Sequence, residues 1–237
     1  MPIESSSALE PAGESAERIA TLFWWMTGGT VVIWGAVTAL VVYAVWFNRT
    51  GFSPESVRRL ILIGGVALPL LFLSVLLVFG LRQVPLELAR APEGSPVIDV
   101  AGEQWWWRVR YAGSDGGTAF ELANELHLTV GEPVQLNLTS PDVIHSFWVP
   151  SLAGKVDMIP GRTTHLQLNP TRAGVFHGVC AEYCGASHAL MAFRVVVEGR
   201  GETRAWREAE ARDAATPEPG TPAARGADLF LSTGCGA

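Results

Sequence analysis

The apolar positions along the chain are organised in two ways. Residues 22–46 (LFWWMTGGTVVIWGAVTALVVYAVW) and 60–81 (LILIGGVALPLLFLSVLLVFGL) are continuous apolar runs without a charged side chain. Each exceeds the ~20 residues a helix needs to cross a hydrocarbon core of about 30 Å, which predicts a two-helix transmembrane hairpin. Trp24, Trp25 and Trp46 sit near the ends of the first run, where amphipathic rings favour the membrane interface. Gly28, Gly29, Gly64, Gly65 and Pro69 would weaken helices in water but are tolerated within membrane spans. From Val97 the period changes. The segments 97–100, 105–111, 125–130, 133–139, 164–168, 174–179 and 193–198 alternate, or cluster β-branched and aromatic residues, and read as strands. Between them GSDGG (113–117), GEP (131–133), SPD (140–142) and NPTRAG (169–174) read as turns. Short strands with no helical stretch between them predict an antiparallel all-β sandwich or barrel.

These shifts divide the chain into an acidic leader (1–21), the hairpin (22–81), a β region (82–200) and a tail (201–237). In the tail, residues 202–215 have helical character, 216–224 form a Pro/Gly/Thr linker, and an apolar pattern then runs to Cys235. The leader carries Glu4, Glu10, Glu14 and Glu17 against Arg18, unlike the basic leader of a cleaved signal, so the first run reads as a retained span. The connector holds Arg49, Arg58 and Arg59 against Glu55. The positive-inside rule therefore puts the hairpin turn in the cytoplasm, and both termini with the β region on the outer, periplasmic side. A net charge of −6 without a basic patch argues against nucleic acid as a partner.

The outer side is oxidising, so a close cysteine pair there must be a disulfide, a metal site or protected. Two of the chain's 3 cysteines fall in CAEYCGASHALM, residues 180–191. Thiolate, imidazole and thioether together make a soft donor set, suited to copper, zinc or iron–sulfur. A mononuclear electron-transfer copper uses one Cys, two His and a weak axial Met. Cys184, His188 and Met191 supply that loop, and His145, at the start of a predicted strand, can supply the second imidazole. Cys180 is then surplus, unless two thiolates on one tight loop bridge two coppers, each capped by one His. A structural zinc on Cys180, Cys184, His188 and His145 is an alternative that leaves Met191 without a role. A Cys180–Cys184 disulfide would close a very short loop and leave both His and Met unexplained. His127, His165 and His177 read as surface or strand-face residues.

Three motifs, EQWWWRVRY (103–111), SPDVIHSFWVPSLAGKVDMIPGR (140–162) and GVCAEYCGASHALM (178–191), resemble subunit II of haem–copper cytochrome c oxidases, over about residues 22–198. The resemblance implies a cupredoxin-like Greek-key barrel or sandwich behind the membrane hairpin, carrying the dinuclear copper centre called CuA. It implies that Cys180 and Cys184 bridge two copper ions, that His145 and His188 cap them, and that Met191 and the main-chain carbonyl of Glu182 are weak ligands. The Glu182 carboxylate would then reach a magnesium shared with the catalytic subunit I, chemistry that suits a hard oxygen donor. Trp105 and Trp106 match the aromatic run through which electrons arrive from cytochrome c. Trp105 and Trp107 are expected on one strand face and Trp106 on the other. Asp142, Lys155, Asp157 and Arg162 match text associated with the contact to subunit I. Where many members carry a Glu at the cytoplasmic start of the second helix, this chain has SVRRLILIGG (56–65), and the nearest carboxylate is Glu55. LFLSTGCGA (229–237) resembles the opening of a fused cytochrome c domain, cut short at the first Cys of its haem motif, so haem c attachment at Cys235 would need a continuing chain.

The expected function is that of the electron-receiving subunit of a proton-translocating oxidoreductase. It would take electrons from cytochrome c and pass them to haem in subunit I, with subunit III as a further partner. A membrane-anchored copper carrier would expose a simpler Met/Cys/His set and needs no tryptophan run. Nitrous-oxide reductase has a similar loop but a soluble propeller where this chain has its hairpin, and quinol-oxidizing relatives lack the two cysteines.

Overall fold

The computed structural model describes residues 7–48, 51–87, 89–113, 118–212 and 215–234. Glu4, Arg49, Cys235 and most of the expected 113–117 turn lie outside the described residues. Helix α1 (Glu14–Val42) runs on through a wider π-helical turn at Tyr43–Phe47. A short connector leads to α2 (Pro54–Arg59), capped by Ser53, whose hydroxyl accepts the Ser56 amide, with Pro54 in the first turn. A second π-helical stretch, Leu60–Ala67, passes into α3 (Leu68–Glu87). There the Leu68 amide reaches back to the Ile63 carbonyl, a wide turn just ahead of Pro69, whose ring cannot fit a regular one. The two continuous helices, Glu14–Phe47 and Pro54–Leu86, are long and apolar enough to cross a membrane. Side chains such as Trp34, Leu71 and Leu77 point outward uncovered, as lipid-facing groups do. Gly29 lies 3.6 Å, measured from where its Cβ would be, from the Phe72 ring, so the two helices approach there.

The β region is a sandwich of two five-stranded sheets. The first has the order β3-β2-β1-β5-β8 and the second β4-β10-β9-β6-β7. In chain order the strands are β1 (Val97–Glu103), β2 (Trp106–Ala112), β3 (Thr118–Ala123), β4 (Glu125–Thr129), β5 (Val134–Thr139), β6 (His145–Trp148), β7 (Val156–Met158), β8 (Thr164–Leu168), β9 (Gly174–Cys180) and β10 (Ala192–Glu198). Period-two burial explains the packing: Trp107, Val109 and Tyr111 of β2 face inward, as do Val195 and Val197 of β10. The sheets are not purely antiparallel as expected: β1 pairs parallel with β5, and β4 parallel with β10. A parallel pair needs a long crossover, and here the crossing chain belongs to the opposite sheet in part. Strands β3 and β7 fall outside the segments read as strands.

The described part of the leader docks on the sandwich. The Ala12 amide donates to the Ser151 carbonyl at 2.7 Å, the Thr171 amide to the Ala12 carbonyl at 2.8 Å, and the Glu14 amide to the Asn169 carbonyl at 3.1 Å. Gly13 bridges to Pro170, and a Cβ there would lie 2.6 Å from the Leu152 carbonyl oxygen. Helix α1 thus starts against the sandwich, upstream of the uncharged run. Residues from Arg204 form a separate compact unit that includes helix α5 (Pro222–Ser232), while α4 (Arg200–Glu210) spans the division. Thr221 caps α5 by accepting the Ala224 amide.

Candidate metal centre

Strand register assembles the site. β6 and β9 pair antiparallel with Phe147 opposite Cys180, so His145, two residues earlier on the same face, points inward beside the end of β9. β9 and β10 pair with Val179 opposite Ala192. Cys180 and Met191 therefore face each other where the hairpin opens, and the Cys180 amide donates to the Met191 carbonyl at 3.0 Å. The loop between them must fold back to bring Cys184 and His188 inward. Gly185, at φ +119°, makes the reversal that a side chain would resist, and the 3₁₀ turn His188–Leu190 completes it.

The resulting donors form two similar halves. The Cys180 sulfur lies 3.8 Å from His145 Nδ1 and 3.2 Å from the Glu182 carbonyl oxygen. The Cys184 sulfur lies 3.5 Å from His188 Nδ1 and 3.7 Å from Met191 Sδ. The two sulfurs are 3.8 Å apart, far beyond a bonded pair at about 2.05 Å, so the cysteines are free thiols. His145, Cys180, Cys184 and Met191 are buried, with His145 fully so. Ligand atoms of His145, Cys180 and Cys184 all lie within 4.8 Å of one another and could hold a metal ion. Burial, and next the neighbouring Cys180 sulfur, push the Cys184 thiol up to about 12. A cation displacing its proton would relieve both effects.

Surrounding groups hold the donors. His145 Nε2 is 2.8 Å from Asp142 Oδ1, which leaves Nδ1 turned to Cys180, the usual arrangement for a ligating imidazole. Burial works to raise the Asp142 carboxyl, but bonds from His145 and the Val143 and Gln104 amides outweigh it and hold the group below the ordinary carboxylate range. On the far side of His145, Trp107 (0% exposed) packs against Phe147 and Phe193 at ring distances of 5.8 and 4.8 Å. Gln104 Nε2 and the Trp105 indole N–H both donate to the Cys184 carbonyl, at 2.7 and 3.2 Å.

The structure places the other expected residues as follows. Trp105 is 37% exposed and precedes β2, so strand alternation does not reach it; Trp106 is half-buried beneath the Arg108 guanidinium, 4.6 Å from its ring. The Glu182 carboxylate, half-exposed, lies 3.7 Å from Lys155 Nζ, which is itself 2.6 Å from Asp157. Hydrogen bonds from Lys155 and Ser146 keep the Asp157 carboxyl below its ordinary value. Arg162 is exposed after β7. His127 is buried beside Glu125 at 2.9 Å and His165 bonds Asn137 at 3.0 Å, so neither joins the centre. Sequence reasoning did not single out Gln104 or Gly185, although Gln104 stands inside the EQWWWRVRY motif.

Comparisons with known proteins agree on one group. Residues 114–199 match the family described as cytochrome C oxidase subunit II, periplasmic domain. Over 98% of its length the chain is 32% identical to cytochrome c oxidase subunit 2 of Alkalihalophilus pseudofirmus, spanning 70% of that protein. It is 34% identical, over 52% of its length, to alternative cytochrome c oxidase subunit 2 of Bradyrhizobium diazoefficiens, spanning 53% of that protein. The probable subunit 2 of Streptomyces avermitilis is 32% identical over 79% of the chain and 73% of its own length. Among solved structures, the periplasmic domain of subunit II of cytochrome oxidase from Bradyrhizobium japonicum covers 50% of the chain and 95% of its own, at 30% identity and a TM-score of 0.46.

Proposed function

The chain belongs to the subunit II family of cytochrome c oxidases, and on that premise we propose that it is the electron-receiving subunit of a membrane oxidase, built around a two-copper centre. The observation that carries this reading is the division of the donors: two sulfurs 3.8 Å apart, each with its own imidazole and one weaker donor. A single zinc would leave Met191 redundant, and the free thiols argue against a disulfide. In this reading the Cys180 and Cys184 sulfurs, the His145 and His188 imidazoles, Met191 and the Glu182 carbonyl would together hold the two copper ions. Two copper ions so held would supply a one-electron store.

The remaining work falls to the chain. Burial of both sulfurs excludes water, and the Asp142–His145 bond keeps one ring from turning. Trp105, part-exposed and bonded to the carbonyl of a ligand residue, is the point where an electron arrives, with Trp106 beside it. The exposed apolar side chains Val143, Ile144, Tyr183 and Leu190 stand on the two loops bonded to the Gln104–Trp105 turn, a surface suited to a transient cytochrome c contact. The electron would pass to haem in subunit I, where oxygen is reduced. Lys155, Asp157 and the half-exposed carboxylate of Glu182 form a cluster suited to that contact, with Asp142 and Arg162 as further contributors. A magnesium ion there would have to share Glu182 with Lys155, drawing its other oxygen ligands from the partner. Arg58 and Arg59 at the connector favour a cytoplasmic turn in the inner membrane, with the sandwich in the periplasm.

The test is an electron paramagnetic resonance spectrum of the copper-loaded chain. One electron shared by two copper nuclei gives a seven-line hyperfine pattern. A four-line pattern, or preferential zinc uptake, would sink the two-copper reading.

A further inference from the structure

Resting on that two-copper reading, we propose that Gln104 is a positioning residue that locks the two halves of the donor set together before metal arrives. Its backbone amide donates to Asp142 Oδ2 at 2.7 Å, and the other oxygen of the same carboxylate holds His145 Nε2 at 2.8 Å. Its side-chain amide donates to the Cys184 carbonyl, also at 2.7 Å. One residue of the β1–β2 turn thereby ties the segment bearing the Cys180-side imidazole to the loop bearing the second sulfur. The path runs entirely outside the sulfurs themselves.

The loop needs such a tie. Its own bonds, His188 amide to Gly185 carbonyl and Met191 amide to His188 carbonyl, shape the turn but do not attach Cys184 to either sheet. The Ala181 amide donates to the Ser146 carbonyl of β6 at 2.9 Å and holds the start of the loop, while Cys184 itself is held by the turn at Gln104 and Trp105, whose donors lie 2.7 and 3.2 Å from its carbonyl. Packing is close here. A Cβ on Gly185 would lie 3.1 Å from Gln104 Nε2 and 3.2 Å from the Trp105 ring. The backbone angle favours a glycine, and a side chain there would also press on the turn. Donors held this way keep their separation when the site's charge changes, and orienting bonds of this kind carry much of a metal site's affinity.

The experiment uses the full chain in detergent, loaded with copper, as wild type, Gln104→Met and Gln104→Glu. Met preserves length without a donor; Glu preserves shape and replaces the donor with an acceptor. Both keep the backbone bond to Asp142. We expect copper transfer to an excess chelator to accelerate roughly tenfold in each variant, with altered hyperfine splitting in the spectrum that remains. Release rates within about twofold of wild type, with superimposable spectra, would overturn the proposal. So would a lower melting temperature of the metal-free chain with an unchanged spectrum of the folded fraction, which would make Gln104 merely structural. Loss of fold in both variants would count the same way. If the wild type itself gives a four-line spectrum, the two-copper reading fails, while the release rates still decide whether Gln104 clamps the loop.

Discussion

Gly178 sits on β9 directly opposite Phe193 of β10, behind the metal loop. A Cβ at that position would stand 2.1, 2.4 and 2.5 Å from Cζ, Cε1 and Cε2 of the Phe193 ring. Carbon atoms pack at about 3.5 Å, so the ring would have to retreat by about 1.4 Å. It has nowhere to go: the Trp107 and Phe147 rings each lie 4.8 Å from it, and all three are buried to 3% exposure or less. Gly178→Ala should therefore destabilise, at the upper end of the ~1–3 kcal/mol typical of overpacking. The opposing term is the lower entropy of an unfolded chain with Ala, worth about 0.4–1 kcal/mol. The net loss is about 2 kcal/mol, which lowers the melting temperature by about 4–8 °C per kcal/mol in a domain on the order of 100 residues. The assay is thermal unfolding of the metal-free full chain, followed by tryptophan fluorescence. Because the two terms have opposite signs, the direction alone is decisive. A variant that melts at or above wild type refutes the packing argument. Phe193→Leu should relieve the clash, so the double variant should lose less stability than the two single losses added together.

Three further outcomes follow from the site and its supports. Asp142→Asn weakens the bond that holds His145, and copper affinity should fall about 10–100-fold by chelator competition while the fold, read by circular dichroism, stays intact. The Cys184 thiol ionises near 9.0 when unconstrained and about 12 when folded, so the unfolded chain loses its proton first. Stability of the metal-free protein should hold below about pH 9 and decline toward 12 in denaturant titrations, whereas apparent copper affinity should rise about tenfold per pH unit for each proton released. Gly13→Val places side-chain atoms against the Leu152 carbonyl, although its extended backbone at φ −150° suits any residue. The bridge to Pro170 should open, detected as faster hydrogen exchange at the Ala12 amide with copper content unchanged.

Elements whose signal is local were legible in the chain. The uncharged runs announced two helices because a bilayer requires about 20 apolar residues in series. Alternation marked most strands, since successive side chains point to opposite faces. It missed β7, three residues long, and β3, whose start adjoins a glycine-rich stretch. The clustering of soft donors was readable because they crowd into residues 180–191, and His145 because it opens a strand that the register brings beside Cys180. Gln104 gave no such signal: an amide beside three tryptophans looks like any polar turn residue until its partner, Cys184, is known.

Composition and spacing alone thus determined two helices apolar and long enough to cross a membrane, a β domain and a soft donor set with one cysteine more than a single copper needs. Only the tertiary structure decided how these meet. Register of β6 on β9 puts His145 beside Cys180, and pairing of β9 with β10 sets Cys180 against Met191. Folding also decided which tryptophan is exposed: Trp107 is in the core, Trp105 lies in the turn, and Trp106 is covered by Arg108. The leader's charge spoke to the span that follows it, but its backbone bonds to Ser151, Asn169 and Thr171 had no sequence signal. The physical reason is common to all of these. Periodicity and donor chemistry are properties of neighbouring residues, whereas backbone hydrogen bonds between distant segments carry no side-chain signature and appear only when the sheets close.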